Sequence, residues 1–283
     1  MTSRDTLLSL DPGPEDALYR IQRSENNVKR AIYVHVTDIT ILPEESRTAE
    51  YELIRDLGKL KGWGDDNWTT LTLYKTINDD RHGDAQIHCL WDNFKAHALS
   101  HEHILKSYPL FNIFDLRVIK RKNDAVQYVH NGSSFCYLKI ARFGFELRYI
   151  KTELSVYHDL ARLKSKLGPQ LLGYVFEGAE RRIVGFLLEE VSGRPPALGD
   201  LEECKAALRE LHGLGIIHGD PNKYNIIITK LGVRLIDFEN ACKAPVDNGG
   251  SKRWDAMKEE DMRKLELGLV DTSSNGQPWD DPD

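Results

Sequence analysis

The sequence is short of several things. It has four cysteines in 283 residues, Cys89, Cys136, Cys204 and Cys242, and no Cys-x-x-Cys pair. That pattern offers neither a disulfide framework nor a zinc site, and a reducing, cytoplasmic setting is the default expectation. There is no run of eighteen apolar residues, so no membrane span is expected. The opening MTSRDTLLSLDPGPEDAL lacks an apolar core long enough for a secretory signal. Internal repeats and low-complexity tracts are also missing.

What is present is an ordinary globular composition, 41% hydrophobic and 29% charged, with a formal net charge of −6. The charge is unevenly placed. Residues 101–170 hold twelve Lys and Arg against six Asp and Glu, a local excess of +6 in an acidic protein. A block of this kind suits a local anion site, phosphate or nucleic acid, or simply a solvated charged face.

Along the chain, residues 1–28 read as a polar arm broken by DPGP. A small α+β domain is expected over 29–110: a strand in AIYVHVTDITIL, a helix in RTAEYELIRDLGKLKGW, then two strands joined by the turn-rich NDDRHGD. Trp63, Trp68 and Trp91 read as its core, with a base-stacking platform as the alternative. From 111 the texture changes. FDLRVIKRK, AVQYVHN and SSFCYLKIARF form a three-strand meander, and RYIKTELSVYHDLARLKSKL is an amphipathic helix. Two more strands, LLGYVF and RIVGFLLEEV, close this region at 192. Residues 193–272 open with the SGRPP linker and the helix LEECKAALRELHGLG, for which Asp200 is a candidate N-cap. The segment ends with WDAMKEEDMRKLELGL, whose outer face reads as solvated charge. Residues 273–283 form a polar tail.

The most informative stretch is IIHGDPNKYNIII, residues 216–228, in which two apolar runs bracket a polar loop. Runs of this kind anchor a loop in a core, and loops so held tend to carry chemistry. Asp220 and Asn225 stand five apart on it, and Asp237 ends the strand VRLID. Two carboxylates and an amide oxygen are the hard ligands that Mg²⁺ accepts, with water and phosphate completing its shell.

These residues resemble the protein-kinase-like superfamily. HGDPNKYN is similar to its catalytic loop, His-x-Asp-x-x-x-x-Asn. IDFE is similar to its Asp-Phe-Gly segment, with Glu239 in place of glycine. YLKIA resembles the third-strand lysine motif and TEL the glutamate of the following helix. Gly219 and the Asp-Phe-Glu variant are closer to small-molecule and atypical kinases than to ordinary protein kinases. The resemblance covers roughly 112–245. It implies an α+β fold, a minimal bilobal kinase-like unit behind the small N-terminal α+β domain. It also implies ATP and Mg²⁺ as cofactors. Lys139 would meet the nucleotide phosphates and be held by Glu153, for which Glu146 is a substitute. Asp220 would accept the proton of the attacking hydroxyl, Asn225 and Asp237 would hold Mg²⁺, and His218 would buttress the loop. Main-chain groups of Glu190 and Val191 would meet the base.

The chain departs from that pattern in three places. KRKND, residues 120–124, lies where a glycine-rich loop belongs and has no glycine; Lys120, Arg121 or Lys122 could cover the phosphates instead. Only about forty-five residues follow the Asp-Phe-Glu segment, too few for a large helical lobe that docks peptides. The first hundred residues have no kinase counterpart. Three functions fit these facts. The first is an ATP- and Mg²⁺-dependent phosphotransferase acting on a hydroxylated small molecule. The second keeps the fold for a different reaction in fungal secondary metabolism, an arginine-containing cyclodipeptide synthase using aminoacyl-tRNA, whose backbone would suit the basic 101–170 block. The third is a pseudokinase binding module.

Overall fold

The computed structural model describes residues 4–65, 67–77, 85–244 and 251–271. The expected NDDRHGD turn and the 273–283 tail fall outside these residues. The described chain forms two compact units. The first spans Met1–Ala98 with Arg142–Gly144 and Glu177–Arg182; the second spans Leu99–Ala141, Phe145–Phe176 and Ile183–Asp283. Among the described residues no helix is long and apolar enough to cross a membrane.

In the first unit, β1 (Asp5–Pro12), β2 (Ala17–Glu25), β3 (Val28–Val36), β4 (Thr70–Ile77) and β5 (Ala85–Trp91) form one sheet in that order. The ladder is antiparallel except between β3 and β4, which run parallel. A parallel pair needs a crossover, and α1 (Glu50–Leu57) lies within it, burying Leu53 and Leu57. The residues expected to form a polar arm are thus two paired strands. The cause is visible in β2, where Arg20 and Arg23 are buried beside Tyr19 and Ile21. Arg23 lies between Trp63 and Trp68, its guanidinium 4.8 and 4.7 Å from their rings, and grips both carboxylate oxygens of Asp5 at 2.9 and 3.0 Å. A buried guanidinium needs this fork of partners and its aromatic faces. Trp63 and Trp68 are core residues, as expected; Trp91 packs against the same core, partly buried.

In the second unit, six strands lie in the order β6-β10-β11-β9-β8-β7. They are β6 (Leu110–Asn112), β7 (Arg117–Arg121), β8 (Val126–His130), β9 (Phe135–Ile140), β10 (Leu171–Glu177) and β11 (Arg182–Glu189). The meander expected from the sequence is β7-β8-β9, paired antiparallel. The short β6, not expected, runs parallel to β10. Between β9 and β10 comes α2 (Leu147–Arg162), which buries Ile150, Leu154, Tyr157 and Leu160. After β11, α3 (Leu201–Gly213) buries Leu208 and Leu211. Asp200 does not cap it with a side-chain bond; its carboxylate accepts from Arg194 and from the Ala197 N–H instead. Two small pairs follow, β12 (Ile216–Ile217) with β15 (Cys242–Lys243), and β13 (Ile226–Thr229) with β14 (Gly232–Leu235). The last helix is α4 (Ser251–Val270). The class is α+β, as the sequence led us to expect.

Candidate active site

The five isoleucines around the polar loop are strand residues. Ile216 and Ile217 form β12; Ile226, Ile227 and Ile228 start β13, with Ile216, Ile217 and Ile226 buried. The β13–β14 hairpin sets the geometry of the site. Ile226 pairs with Leu235, and the Ile236 N–H donates to the Asn225 carbonyl at 3.0 Å. Asn225 therefore stands at one foot of the hairpin and Asp237 at the other. Strand pairing alone makes neighbours of two residues twelve apart.

Asp237 adopts a left-handed backbone conformation, with φ 66° and ψ 60°. A non-glycine residue in that region is strained unless its surroundings fix it, and such strain gathers at functional positions. Here the fixing partner is Lys139 of β9. Its Nζ donates to Glu153 Oε1 and Oε2 at 2.9 and 2.8 Å and to Asp237 Oδ1 at 2.6 Å. Glu153, on α2, is buried, and also accepts from the Tyr157 hydroxyl and the Phe238 N–H. Glu153, not Glu146, is thus the partner of the lysine. Burial works to lower the Lys139 pKa, but the two carboxylates overcome it and the net shift is upward, so the lysine stays charged. Burial pushes the Glu239 carboxyl up, and the nearby Asp237 adds to the shift.

The loop carrying Asp220 is held from three sides. His218 is fully buried and donates from Nε2 to the Ile236 carbonyl at 3.0 Å, while its Nδ1 accepts from the Asp220 N–H at 3.3 Å. That pairing assigns the proton to Nε2. Burial lowers the His218 pKa, so the ring is neutral. Asp220 Oδ2 accepts from the side-chain amides of Asn222 and Asn225 at 3.0 and 3.2 Å. The Asn225 amide nitrogen is so engaged, and its oxygen is left for another ligand. Gly219 has φ +86°, and a Cβ there would fall on the Asn240 carbonyl oxygen, so the arginine usual at this position in the resemblance has no room.

The third support was not foreseen. Asp261 of α4 is buried and accepts from the His218 N–H at 2.9 Å, the Gly219 N–H at 2.9 Å and His212 Nε2 at 2.8 Å. Burial raises its pKa, but these donors outweigh that, and the net shift is downward. Lys264, one turn on, donates to the Gly219 carbonyl at 2.6 Å. The charged terminal helix is therefore not only a solvated face: it carries the carboxylate that fixes the loop. A sequence signal existed. Asp261 falls four residues before Leu265 and eight before Leu269, both buried, on the helix's apolar stripe. On the other side, β12 pairs with β15, and Lys243 reaches α2, where it donates to the Ser155 carbonyl at 2.9 Å and pairs with Asp159.

Two cavities of the second unit meet these residues. One, of about 630 Å³, has Lys139, Asn225 and Asp237 in its lining, with Val126, Leu188 and Val191 among its apolar walls. Of the two expected base-contacting residues, Val191 lines it; Glu190 does not, although its neighbour Glu189 does. The other, of about 670 Å³, is lined by Gly219, Asp220 and residues of α4 including Arg253 and Met257. The structure thus brings Lys139, Glu153 and Asp237 into direct contact. It joins His218, Asp220 and Asn225 through one loop.

A family model described as lipopolysaccharide core biosynthesis protein (WaaY) matches residues 194–259, which include both loops and the first half of α4. The lipopolysaccharide core heptose(II) kinase WaaY of Escherichia coli is 36% identical over 75 residues, 26% of this chain. The chain spans only 28% of the length of that relative. The matched segment holds both the HGDPNKYN loop and the IDFE segment, the residues that resemble the protein-kinase-like superfamily.

Proposed function

We propose that this protein-kinase-like chain is an ATP- and Mg²⁺-dependent phosphotransferase that phosphorylates a hydroxyl of a sugar-type small molecule. One observation carries the reading: a single loop has a cavity on either flank, one with the lysine, amide and carboxylate suited to a donor nucleotide, the other with Asp220. Phosphoryl transfer is mostly positioning and charge neutralisation, and two compartments on the flanks of one loop would supply the positioning.

The residues fit a bound Mg²⁺. Asn225 offers its amide oxygen, because its nitrogen is bound to Asp220, and Asp237 stands at the other foot of the same hairpin. Among the described residues no group of three or more His, Cys, Asp or Glu is placed to hold a metal by itself. Two protein oxygens with the remaining positions left to phosphate and water is the usual Mg²⁺ arrangement. When bound, the cation would neutralise charge on the transferred phosphoryl group. The chain's own residues do the rest. Lys139, kept in place by Glu153, faces the nucleotide phosphates. Asp220 takes the proton of the acceptor hydroxyl as the new O–P bond forms and the bond to the ADP oxygen breaks. His218 and Asp261 hold the loop that aims Asp220. The sugar-type acceptor is favoured by the match to a heptose kinase. The same match lends nothing to the aminoacyl-tRNA reading.

The test is a melting scan with ATP·Mg²⁺ followed by incubation with a panel of sugars and labelled ATP. ATP·Mg²⁺ should raise the midpoint in the natural protein and fail to do so in Asp237→Ala, and label should move to a sugar hydroxyl. No shift at millimolar ATP and no transfer to any sugar would end the reading.

A further inference from the structure

Asp220 has two carboxylate oxygens, and its loop treats them differently. Oδ2 accepts from the side-chain amides of Asn222 and Asn225, at 3.0 and 3.2 Å. A carboxylate oxygen offers about two lone-pair sites, so these two bonds fill it. Among the described residues no hydrogen bond reaches Oδ1. Other contacts fix which way round each amide stands. The Tyr224 N–H donates to Asn222 Oδ1 at 2.8 Å, which turns the Asn222 nitrogen to the carboxylate. The Asn225 nitrogen also donates to the Asp220 carbonyl, at 3.0 Å.

Asn225 has a second task in the proposed cation site. Asn222 lines neither the donor nor the acceptor cavity, and its place is set from α4. Asp261, Lys264, Gly268 and Asp271 follow one another by three, four and three residues, the spacing of one helical face. Each meets the loop in turn. Asp261 accepts from the Gly219 N–H, Lys264 donates to the Gly219 carbonyl, and Lys223 Nζ donates to the Asp271 carbonyl at 2.5 Å. Between these contacts Gly268 lies against Asn222. A Cβ on Gly268 would stand 3.1 Å from the Asn222 Cα and 3.4 Å from its Cβ, so the bare helix backbone is what lets Asn222 sit there.

We propose that Asn222 is a positioning residue: by filling Oδ2 together with Asn225, it leaves Oδ1 of Asp220 as the oxygen that takes the acceptor's proton. This rests on the phosphotransferase reading above. The acceptor O–H gives its proton to Oδ1, and its oxygen forms the bond to phosphorus. The bridging oxygen leaves on ADP with the electron pair of the broken bond. Asn222 touches neither substrate. Without its amide the carboxylate keeps a single side-chain donor and turns more freely about its Cβ–Cγ bond, which slows transfer and leaves the binding of donor and acceptor as it was.

The experiment is steady-state transfer by the full chain, with ATP·Mg²⁺ and whichever sugar of the panel above takes label, for the natural protein, Asn222→Ala, Asn222→Asp and Asn222→Ser. The alanine variant loses both side-chain bonds. The aspartate and serine variants keep an oxygen for the Tyr224 N–H and lose the amide donor to Asp220. All three should lower kcat about tenfold, the worth of one hydrogen bond to a charged group, with KM for both substrates unchanged. Melting curves establish that the variants are folded; the isosteric aspartate and the turn-keeping serine carry the test should the alanine variant not fold. The proposal is overturned if Asn222→Asp or Asn222→Ser turns over as the natural protein does, since Asn222 would then serve only the turn. It is also overturned if KM rises while kcat holds, since Asn222 would then meet a substrate. These outcomes leave the phosphotransferase reading standing. A natural protein that transfers to no sugar removes that reading, and the role of Asn222 with it.

Discussion

Each unit buries a charged cluster around one cation, Arg23 in the first and Lys139 in the second, and the two are closed off to different degrees. In the first, Arg23 is sealed: its side chain is 0% exposed, Asp5 takes two of its donors, the Trp63 carbonyl takes another, and two indole rings cover its faces. In the second, Lys139 is just as well partnered, but Asp237 keeps 35% of its side chain exposed and both residues border a cavity. A buried ion pair is therefore no sign of a site. What separates the two is a partner that can be exchanged. Asp5 also accepts from Trp63 Nε1 and is buried with its arginine, whereas under the proposed function Asp237 would leave its lysine for a cation without stranding that lysine, which still has Glu153.

The comparison can be broken most forcefully at Asp220. Asp220→Asn should lower transfer by about 10² to 10⁴, the usual worth of a positioned base, with little change in the melting midpoint. Arg23→Met should do the reverse. It leaves Asp5 buried without its cation and should cost about 3–5 kcal/mol in urea denaturation. The double change Asp5→Leu with Arg23→Met should recover part of that loss. A full loss in both would show that the aromatic contacts, not the pairing, hold the first unit together.

Asp261→Asn stands between these two classes. An amide cannot accept three bonds as the carboxylate does, so stability should fall by about 1–3 kcal/mol and transfer should fall with it. The pH dependence gives the sharper reading. The Asp261 pKa in the fold lies below its ordinary value of about 3.9, so its contribution is complete above that pH and disappears as pH drops through the folded value. The gap in melting temperature between the natural protein and Asp261→Asn should accordingly be constant near neutrality and close in acid. Gly219→Ala should be at least as disruptive, because a positive φ and the backbone carbonyl of Asn240 both oppose the added methyl and the loop must shift to admit it. Both the melting midpoint and transfer should fall, read in the same two assays.

The residues legible in the sequence were those bound to a local pattern. The polar loop between two isoleucine runs, the strand ending in Asp237 and the amphipathic α2 announce themselves by spacing. Two features did not, for one shared physical reason. The strands β1 and β2 read as a polar arm, and α4 read as a solvated helix, because arginines and an aspartate count as surface residues in any local tally. Arg20, Arg23 and Asp261 are buried because partners far along the chain receive them: Arg20 meets Glu177, 157 residues away, and Asp261 meets the loop 43 residues before it. Periodicity sees which residues share a face, not which distant group will neutralise a charge on it. The closed turn at 122–126 is a related case. The missing glycines are plain in the sequence, but that the N–H groups of Lys122, Asn123, Ala125 and Val126 are already engaged is plain only in three dimensions.

The short β12–β15 pair has a consequence for rigidity. It joins the residues just before the polar loop to those just after Asn240, and Lys243 from the same segment grips α2 at Ser155 and Asp159. Swinging this stretch aside would have to break the ladder and release the helix together, so one strand moors both the loop that carries Asp220 and the helix that carries Glu153.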